Sequence, residues 1–232
     1  MMISSVKLEN VTKRYNGTPF CLQIDNLEFH NRDIHVIVGP NGSGKSTILN
    51  LIAFLDRPDA GCVLIDGRPL FNHDRDVDNQ LRKRIGYVRQ NRYLFDMNVF
   101  DNVALGLRIR KQPKNEIASQ VDSILPLFKL EHLEKRSVKS LSKGEYQKVA
   151  IAQVLVLKPE IILIDEPDAN IDALSKISIE ETIKKIQKER NSVVIMTTHS
   201  LKQAHRMSPR IISMRDGKVI DSGEENFFFE NK

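Results

Sequence analysis

The chain has 232 residues, 41% of them hydrophobic, and a formal net charge of +5. That length suits one domain, or one domain with a small lobe, and that apolar share fills a core. The basic residues are scattered among acids rather than gathered in a stripe with interleaved aromatics, which argues against nucleic acid as a partner. No apolar run approaches the roughly 18 residues that span a bilayer, so a membrane role has to come through a partner. Cys21 and Cys62 lack metal-like spacing and read as reduced thiols of a cytosolic protein. The opening MMISSVKLEN is broken by polar residues too early for a signal peptide.

Taken in order, residues 3–28 alternate apolar positions at Val6, Leu8, Leu22, Ile24 and Leu27, the pattern of strands in a half-exposed sheet. Ile34 to Val38 is apolar and mostly β-branched, as a buried strand is. It runs into Gly39-Pro40-Asn41-Gly42-Ser43-Gly44-Lys45-Ser46-Thr47, a full match to G-x-x-x-x-G-K-[ST], and Ser46 to Phe54 follows with helical spacing. Strand, glycine loop and helix start make an anion site. The glycines let successive N–H groups point inward at phosphate oxygens, and the helix start adds open N–H groups and the positive end of its dipole. Lys45 supplies charge to the outer phosphates and the Ser46 hydroxyl is placed to ligate Mg²⁺. The ligand class is a nucleoside triphosphate.

Residues 61–70 repeat the strand style around an Asp66-Gly67 turn, and Ile85 to Val88 is a strand closing at Gln90. From about 91 to 140 the sequence turns helix-like and charged, broken at Pro113 and Pro126, which predicts an inserted helical lobe. Lys143 to Leu157 is an apolar-periodic helix, Ile161 to Ile164 a buried parallel strand, 172–190 an amphipathic helix, Ser192 to Thr197 a second buried strand, and Leu201 to Met207 a short helix. Residues 211–221 read as a hairpin turning at Asp216-Gly217. The phenylalanines of the tail EENFFFENK read as a packed last turn. This β–α alternation predicts an α/β fold with a parallel sheet and crossover helices.

Asp165 and Glu166 follow the apolar run at a strand end, where open parallel sheets bind ligands. There Asp165 reaches the Mg²⁺ shell and Glu166 serves as base toward the attacking water.

Leu141-Ser142-Lys143-Gly144-Glu145 resembles the LSGGQ signature of the ATP-binding cassette (ABC) ATPases. In family order, Tyr15 matches the adenine-stacking aromatic, Gln90 the Q-loop glutamine, Ala169-Asn170-Ile171-Asp172 the D-loop and His199 the switch histidine. The resemblance covers Val6 to Ile220. It implies a P-loop NTPase (RecA-like) core with an N-terminal antiparallel β subdomain, together about 1–90 and 141–232, and a helical subdomain at about 91–140. It implies ATP and Mg²⁺ as ligands, with Ser46, Gln90 and Asp165 around the metal and His199 at the γ-phosphate. It also implies a head-to-tail homodimer, in which the ATP on one phosphate loop touches Ser142 and Gly144 of the other subunit. Lys143 departs from the family's first signature glycine, Asp168 stands where threonine is usual, and Tyr146 and Gln153 depart from the usual signature-helix residues.

Three kinds of family member remain open: the energy-coupling subunit of an importer, the ATPase of an exporter or lipoprotein-release complex, and a soluble member acting on nucleic acid or ribosomes. The last expects tandem cassettes or a long coiled-coil insertion. Phe95 to Leu107 looks like the importer segment that faces the permease, and the chain stops soon after its last hairpin, without the extra C-terminal domain of sugar-type importers. Residues 165–172 and 197–204 are similar to tungstate-type oxyanion importers. The resemblance thus implies a peripheral subunit at the cytoplasmic face of the inner membrane, bound to permease subunits and, through them, served by a substrate-binding protein.

Overall fold

The computed structural model describes residues 2–31, 33–71, 75–167, 171–208 and 210–221. Asp168, the Ala169 and Asn170 positions of the D-loop match, and the phenylalanine-rich tail lie outside the described residues. In chain order the elements are β1 (Ser5–Arg14), β2 (Cys21–His30), β3 (Ile34–Val38), α1 (Lys45–Ile52), β4 (Ala60–Ile65), β5 (Arg68–Pro69), α2 (Arg75–Arg82), β6 (Ile85–Val88), α3 (Val99–Ile109), α4 (Lys114–Ile124), α5 (Lys143–Leu155), β7 (Ile161–Asp165), α6 (Ala173–Arg190), β8 (Val193–Thr198), α7 (Leu201–Met207), β9 (Ile211–Arg215) and β10 (Lys218–Asp221).

All ten strands belong to one sheet, ordered β5-β4-β1-β2-β10-β9-β3-β8-β7-β6. One half is parallel: β9, β3, β8, β7 and β6 pair in one direction. The other half is antiparallel, with β1 between β2 and β4. The predicted hairpin at 211–221 is the joint between the halves. Its β9 strand runs parallel to β3, and its β10 strand pairs antiparallel with β9 and touches β2 at Lys218 and Gln23.

Period-two alternation splits the core in two. Val36, Val38, Ile162, Ile164, Val194 and Met196 face α3 to α7, while Ile37, Ile161, Leu163, Val193 and Ile195 face α1. The strands β3, β7 and β8 are buried throughout, which is why they read as unbroken apolar runs. Each fully buried Ile, Val or Leu stabilises by roughly 1.5–3 kcal/mol. The antiparallel half curls over α1, so Leu8, Leu22, Ile24 and Phe29 pack with Ile48, Leu49 and Ile52. The loop before α1 is thereby held between two layers.

The periodicity missed α2, whose sequence RDVDNQLR carries almost no apolar face. The stretch read as a helical lobe holds α3 and α4. Residues 91–98 lie outside helix, and side chains satisfy their backbone there. Asn102 Oδ1 accepts from Phe95 N at 2.8 Å and its Nδ2 donates to Phe95 O and Asn98 O at 3.0 and 2.9 Å. The Tyr146 hydroxyl accepts from Leu94 N at 2.8 Å.

Candidate active site

The loop from β3 to α1 wraps an open cleft of about 440 Å³, lined by Tyr15, Thr18, Phe20, Asn41 to Thr47, Gln90 and Glu166. Two glycines have identifiable reasons. A Cβ on Gly39 would lie 2.4 Å from Met214 O of β9, so the strand exit tolerates no side chain. Gly44 has φ +104° and caps α1, a left-handed turn that glycine adopts without strain. This cap carries no side-chain hydrogen bond, and the first turn has no acid, so the helix presents its N–H groups and dipole unopposed.

Lys45 is 5% exposed. Its Nζ donates to Gly39 O at 2.9 Å and Pro40 O at 3.1 Å, folding the ammonium into the loop. The Ser43 hydroxyl is buried without a partner among the described residues, an unspent polar group in the middle of the loop.

At the mouth, Tyr15 stacks on Phe20 with ring centroids 6.4 Å apart, and Lys13 Nζ lies 5.4 Å from the Tyr15 ring centre. Burial pushes the Tyr15 phenol above its ordinary range, so it stays neutral, with a face suited to a flat ligand.

Opposite the loop, β7 delivers two carboxylates with different surroundings. Asp165 is 5% exposed; the Thr197 hydroxyl donates to its Oδ1 at 2.5 Å, and the Tyr87 hydroxyl lies 3.4 Å from Oδ2 and 3.3 Å from Asn50 Oδ1. Burial, and then the Asp165 charge, push the Tyr87 phenol up. Glu166, one residue on, has φ +46°. Its Oε2 accepts from Gln90 Nε2 at 2.9 Å and lies 3.6 Å from His199 Nδ1, and its Oε1 lies 3.8 Å from Lys45 Nζ. Three side chains far apart in sequence, Lys45, Gln90 and His199, therefore converge on one carboxylate. His199, with a side chain 60% exposed, stands at the open edge. The Ser46 hydroxyl and the Gln90 amide, whose nitrogen is spent on Glu166, line the cleft, while the Asp165 carboxylate, a further hard oxygen donor suited to a divalent cation, is buried at the end of β7.

Ser142 and Gly144 do not line this cleft. Ser142 caps α5 in a capping box: its Oγ accepts from Glu145 N at 3.3 Å while Glu145 Oε2 accepts from Ser142 N at 2.7 Å. That backbone bond holds the Glu145 carboxyl below its usual range. Lys143 is exposed and directed at no ligand-lining group of its own chain. Gly144 is buried, and a Cβ there would lie 2.4 Å from Ser175 Oγ and 3.2 Å from Asp172 Oδ2. The Ser175 side chain in the first turn of α6 would have to shift to admit any side chain here.

Thr197, Tyr87, Asn50 and Arg92 are site residues that the sequence did not reveal. Tyr87 is a single polar group in a short apolar strand, and Thr197 is one of two threonines that close β8, visible only as breaks in otherwise aliphatic runs. Asn50 lies in the helix after the loop, and Arg92 Nη2 reaches Glu166 O at 2.7 Å from 74 residues away. Glu145, by contrast, is the fourth residue of an S-x-x-E capping box, a signal present in the sequence.

Comparison with known proteins agrees with this arrangement. Residues 22–169 match the ABC transporter family. The chain is 35% identical over 94% of its length to the molybdate/tungstate import ATP-binding protein WtpC of Pyrococcus horikoshii, covering 62% of that protein. It is 35% identical over 97% of its length to the Fe(3+) ions import ATP-binding protein FbpC of Photobacterium profundum, covering 63% of it. Against these curated relatives the chain thus spans about three fifths of their length. Among solved structures it superposes on cbiO1 from Clostridium perfringens, part of the transporter complex cbiONQ, with TM-score 0.87 at 30% identity, covering 96% of this chain and 89% of that one. It superposes equally over 96% of itself and 100% of the cassette MJ0796, solved as a dimer in a post-hydrolysis state bound to ADP and Pi, with TM-score 0.84 at 33% identity. With an intact phosphate loop, a paired carboxylate strand end and this likeness along most of its length, the chain belongs to the ABC transporter family.

Proposed function

We propose that this chain is the ATP-binding and ATP-hydrolysing subunit of an ABC importer, working as a head-to-tail homodimer. The observation that carries the reading is the convergence of Gln90, His199 and Lys45 on the Glu166 carboxylate beside the phosphate loop. In this account Asn41, Gly42, Ser43, Gly44 and Thr47 bind the triphosphate through the loop and the start of α1, and Tyr15 stacks on the adenine. Lys45 leaves the Gly39 and Pro40 carbonyls for the outer phosphates. Ser46, Asp165 and Gln90 fit a Mg²⁺ ion by donor chemistry; when bound, it neutralises the developing phosphate charge. Glu166 takes the proton of the attacking water, His199 contacts the γ-phosphate, and Gln90 reports the site to the helical segment.

Ser142 and Gly144 lie away from the cleft that holds the loop, which supports their acting on the nucleotide of a second copy. The dimeric structures of MJ0796 support the same assembly. Among the described residues no helix is long and apolar enough to cross a membrane. Transport then requires permease subunits, which hold the ATPase at the cytoplasmic face, and through them a substrate-binding protein. Import is the direction supported by relatives named for molybdate/tungstate, ferric iron and spermidine/putrescine uptake at 35–36% identity. We propose an oxyanion such as tungstate as the cargo. The test is reconstitution of the chain with its permease and binding protein in vesicles. Tungstate uptake that requires ATP on the ATPase side is the expected result, and ATP hydrolysis that no permease stimulates contradicts the coupling.

A further inference from the structure

The segment between β6 and α3 has a regular inside and outside. Asn91, Tyr93 and Phe95 are exposed. The alternate residues hold the protein: Gln90 bonds the Glu166 side chain, Arg92 bonds the Glu166 main chain, and the Leu94 N–H bonds the Tyr146 hydroxyl of α5. Glu166 is thus gripped twice by one short stretch of chain, once at the carboxylate and once at the carbonyl.

The second grip matters because of the backbone it holds. Glu166 has φ +46°, a left-handed conformation that is unfavourable for a non-glycine residue and persists only where its surroundings enforce it. Its N–H is fixed by Thr197, at 3.2 Å from both the backbone oxygen and the hydroxyl. Its carbonyl is fixed by Arg92 Nη2 at 2.7 Å, a charge-assisted bond of the stronger kind. With both amide faces held, the Cα–Cβ direction is set, and with it the approach of the carboxylate to the cleft. Without Arg92 the carbonyl can rotate, the residue can leave the left-handed region, and the carboxylate swings away from Lys45 and His199.

We propose that Arg92 is a positioning residue for Glu166, acting on turnover by holding the strained main chain that aims the carboxylate. The proposal rests on Glu166 being the base. Its test is a kinetic double-mutant cycle with four proteins: wild type, Arg92→Gln, Glu166→Gln and the double variant, read by single-turnover ATP hydrolysis and by nucleotide affinity. Arg92→Gln is expected to lower the hydrolysis rate by about tenfold or more, with ATP affinity within about twofold. Residues acting as one unit are strongly non-additive, so in the Glu166→Gln background the same change should alter the residual rate by less than about twofold. Arg92→Lys, which keeps one charged donor, should recover part of the loss in the wild-type background only, and it carries the test should Arg92→Gln not fold. Equal fold-losses in the two backgrounds would mean that Arg92 serves general stability, and a full-rate Arg92→Gln would mean that it serves nothing here; either overturns the proposal while leaving the base intact. An unimpaired Glu166→Gln would remove the base, and the proposal with it.

Discussion

The proposed function offers two helix N-termini to phosphate, and they are built in opposite ways. The start of α1 has a glycine cap, no side-chain acceptor and no acid in its first turn. The start of α5 is closed on itself by Ser142 and Glu145, with a carboxylate in the first turn. An uncapped start leaves its N–H groups for a ligand, whereas a capping box has already satisfied two donors and set a negative charge against the dipole. The first is therefore an anion receptor by itself. In the proposed dimer the second contributes when another copy presents a phosphate to it, through the Ser142 hydroxyl and the N–H groups that the box leaves open. This difference gives a physical reason for ATP to bind one chain and then join two.

Lys45→Ala removes the only charged side chain of the receptor loop and should abolish ATP binding and turnover, as read by titration with a fluorescent nucleotide. Unchanged affinity and rate would mean that the α1 start does not carry the ligand. Glu166→Gln should leave binding intact and slow hydrolysis by roughly 10²–10⁴-fold, the usual worth of a general base; wild-type turnover would move the base elsewhere.

The α5 cap gives the next effect. Glu145→Ala should destabilise the chain by about 1 kcal/mol, within the range for capping interactions, measured by urea unfolding. Glu145→Gln keeps a hydrogen-bond acceptor while removing the charge, so it should cost less and strengthen ATP-dependent dimerisation; weaker dimerisation would show that the carboxylate helps rather than opposes the phosphate. The smallest effect belongs to Lys143→Gly. Lys143 is exposed, and exposed substitutions act weakly, so steady-state turnover should change by less than about threefold. Gly144 is unsuited to this comparison, because a side chain there would displace Ser175 of its own chain as well as meet a ligand.

The same contrast explains what could be read in the sequence. The receptor loop is local: β3, the loop and α1 are contiguous, their periodicities are clean, and a reader needs only residues 34–52 to derive them. The pairing of the Asp165–Glu166 strand end with that loop is not local, but two buried apolar runs and the parallel-sheet rule bring it within reach. Thr197, Tyr87 and Arg92 were not legible. Each acts through hydrogen bonds to partners 31 to 78 residues away, and no periodicity encodes such a meeting. Gly144 was legible as a position that must stay small, but the sequence could not show that the reason is the first turn of α6. The lobe at 91–140 is helix-like in composition as a whole, but at its start a buried asparagine, Asn102, bonds the backbone of Phe95 and Asn98, a contact that composition does not show.

The central claim is that the α5 start of one chain meets the phosphate bound by the other. It is tested most directly by light scattering of Glu166→Gln in Mg-ATP, alone and combined with Ser142→Asp. Aspartate caps a helix as well as serine does, so α5 should remain formed while a carboxylate replaces the hydroxyl that faces the partner's phosphate. The account predicts a dimer for Glu166→Gln and a monomer that still binds ATP for the double variant. A double variant that dimerises as readily would contradict it.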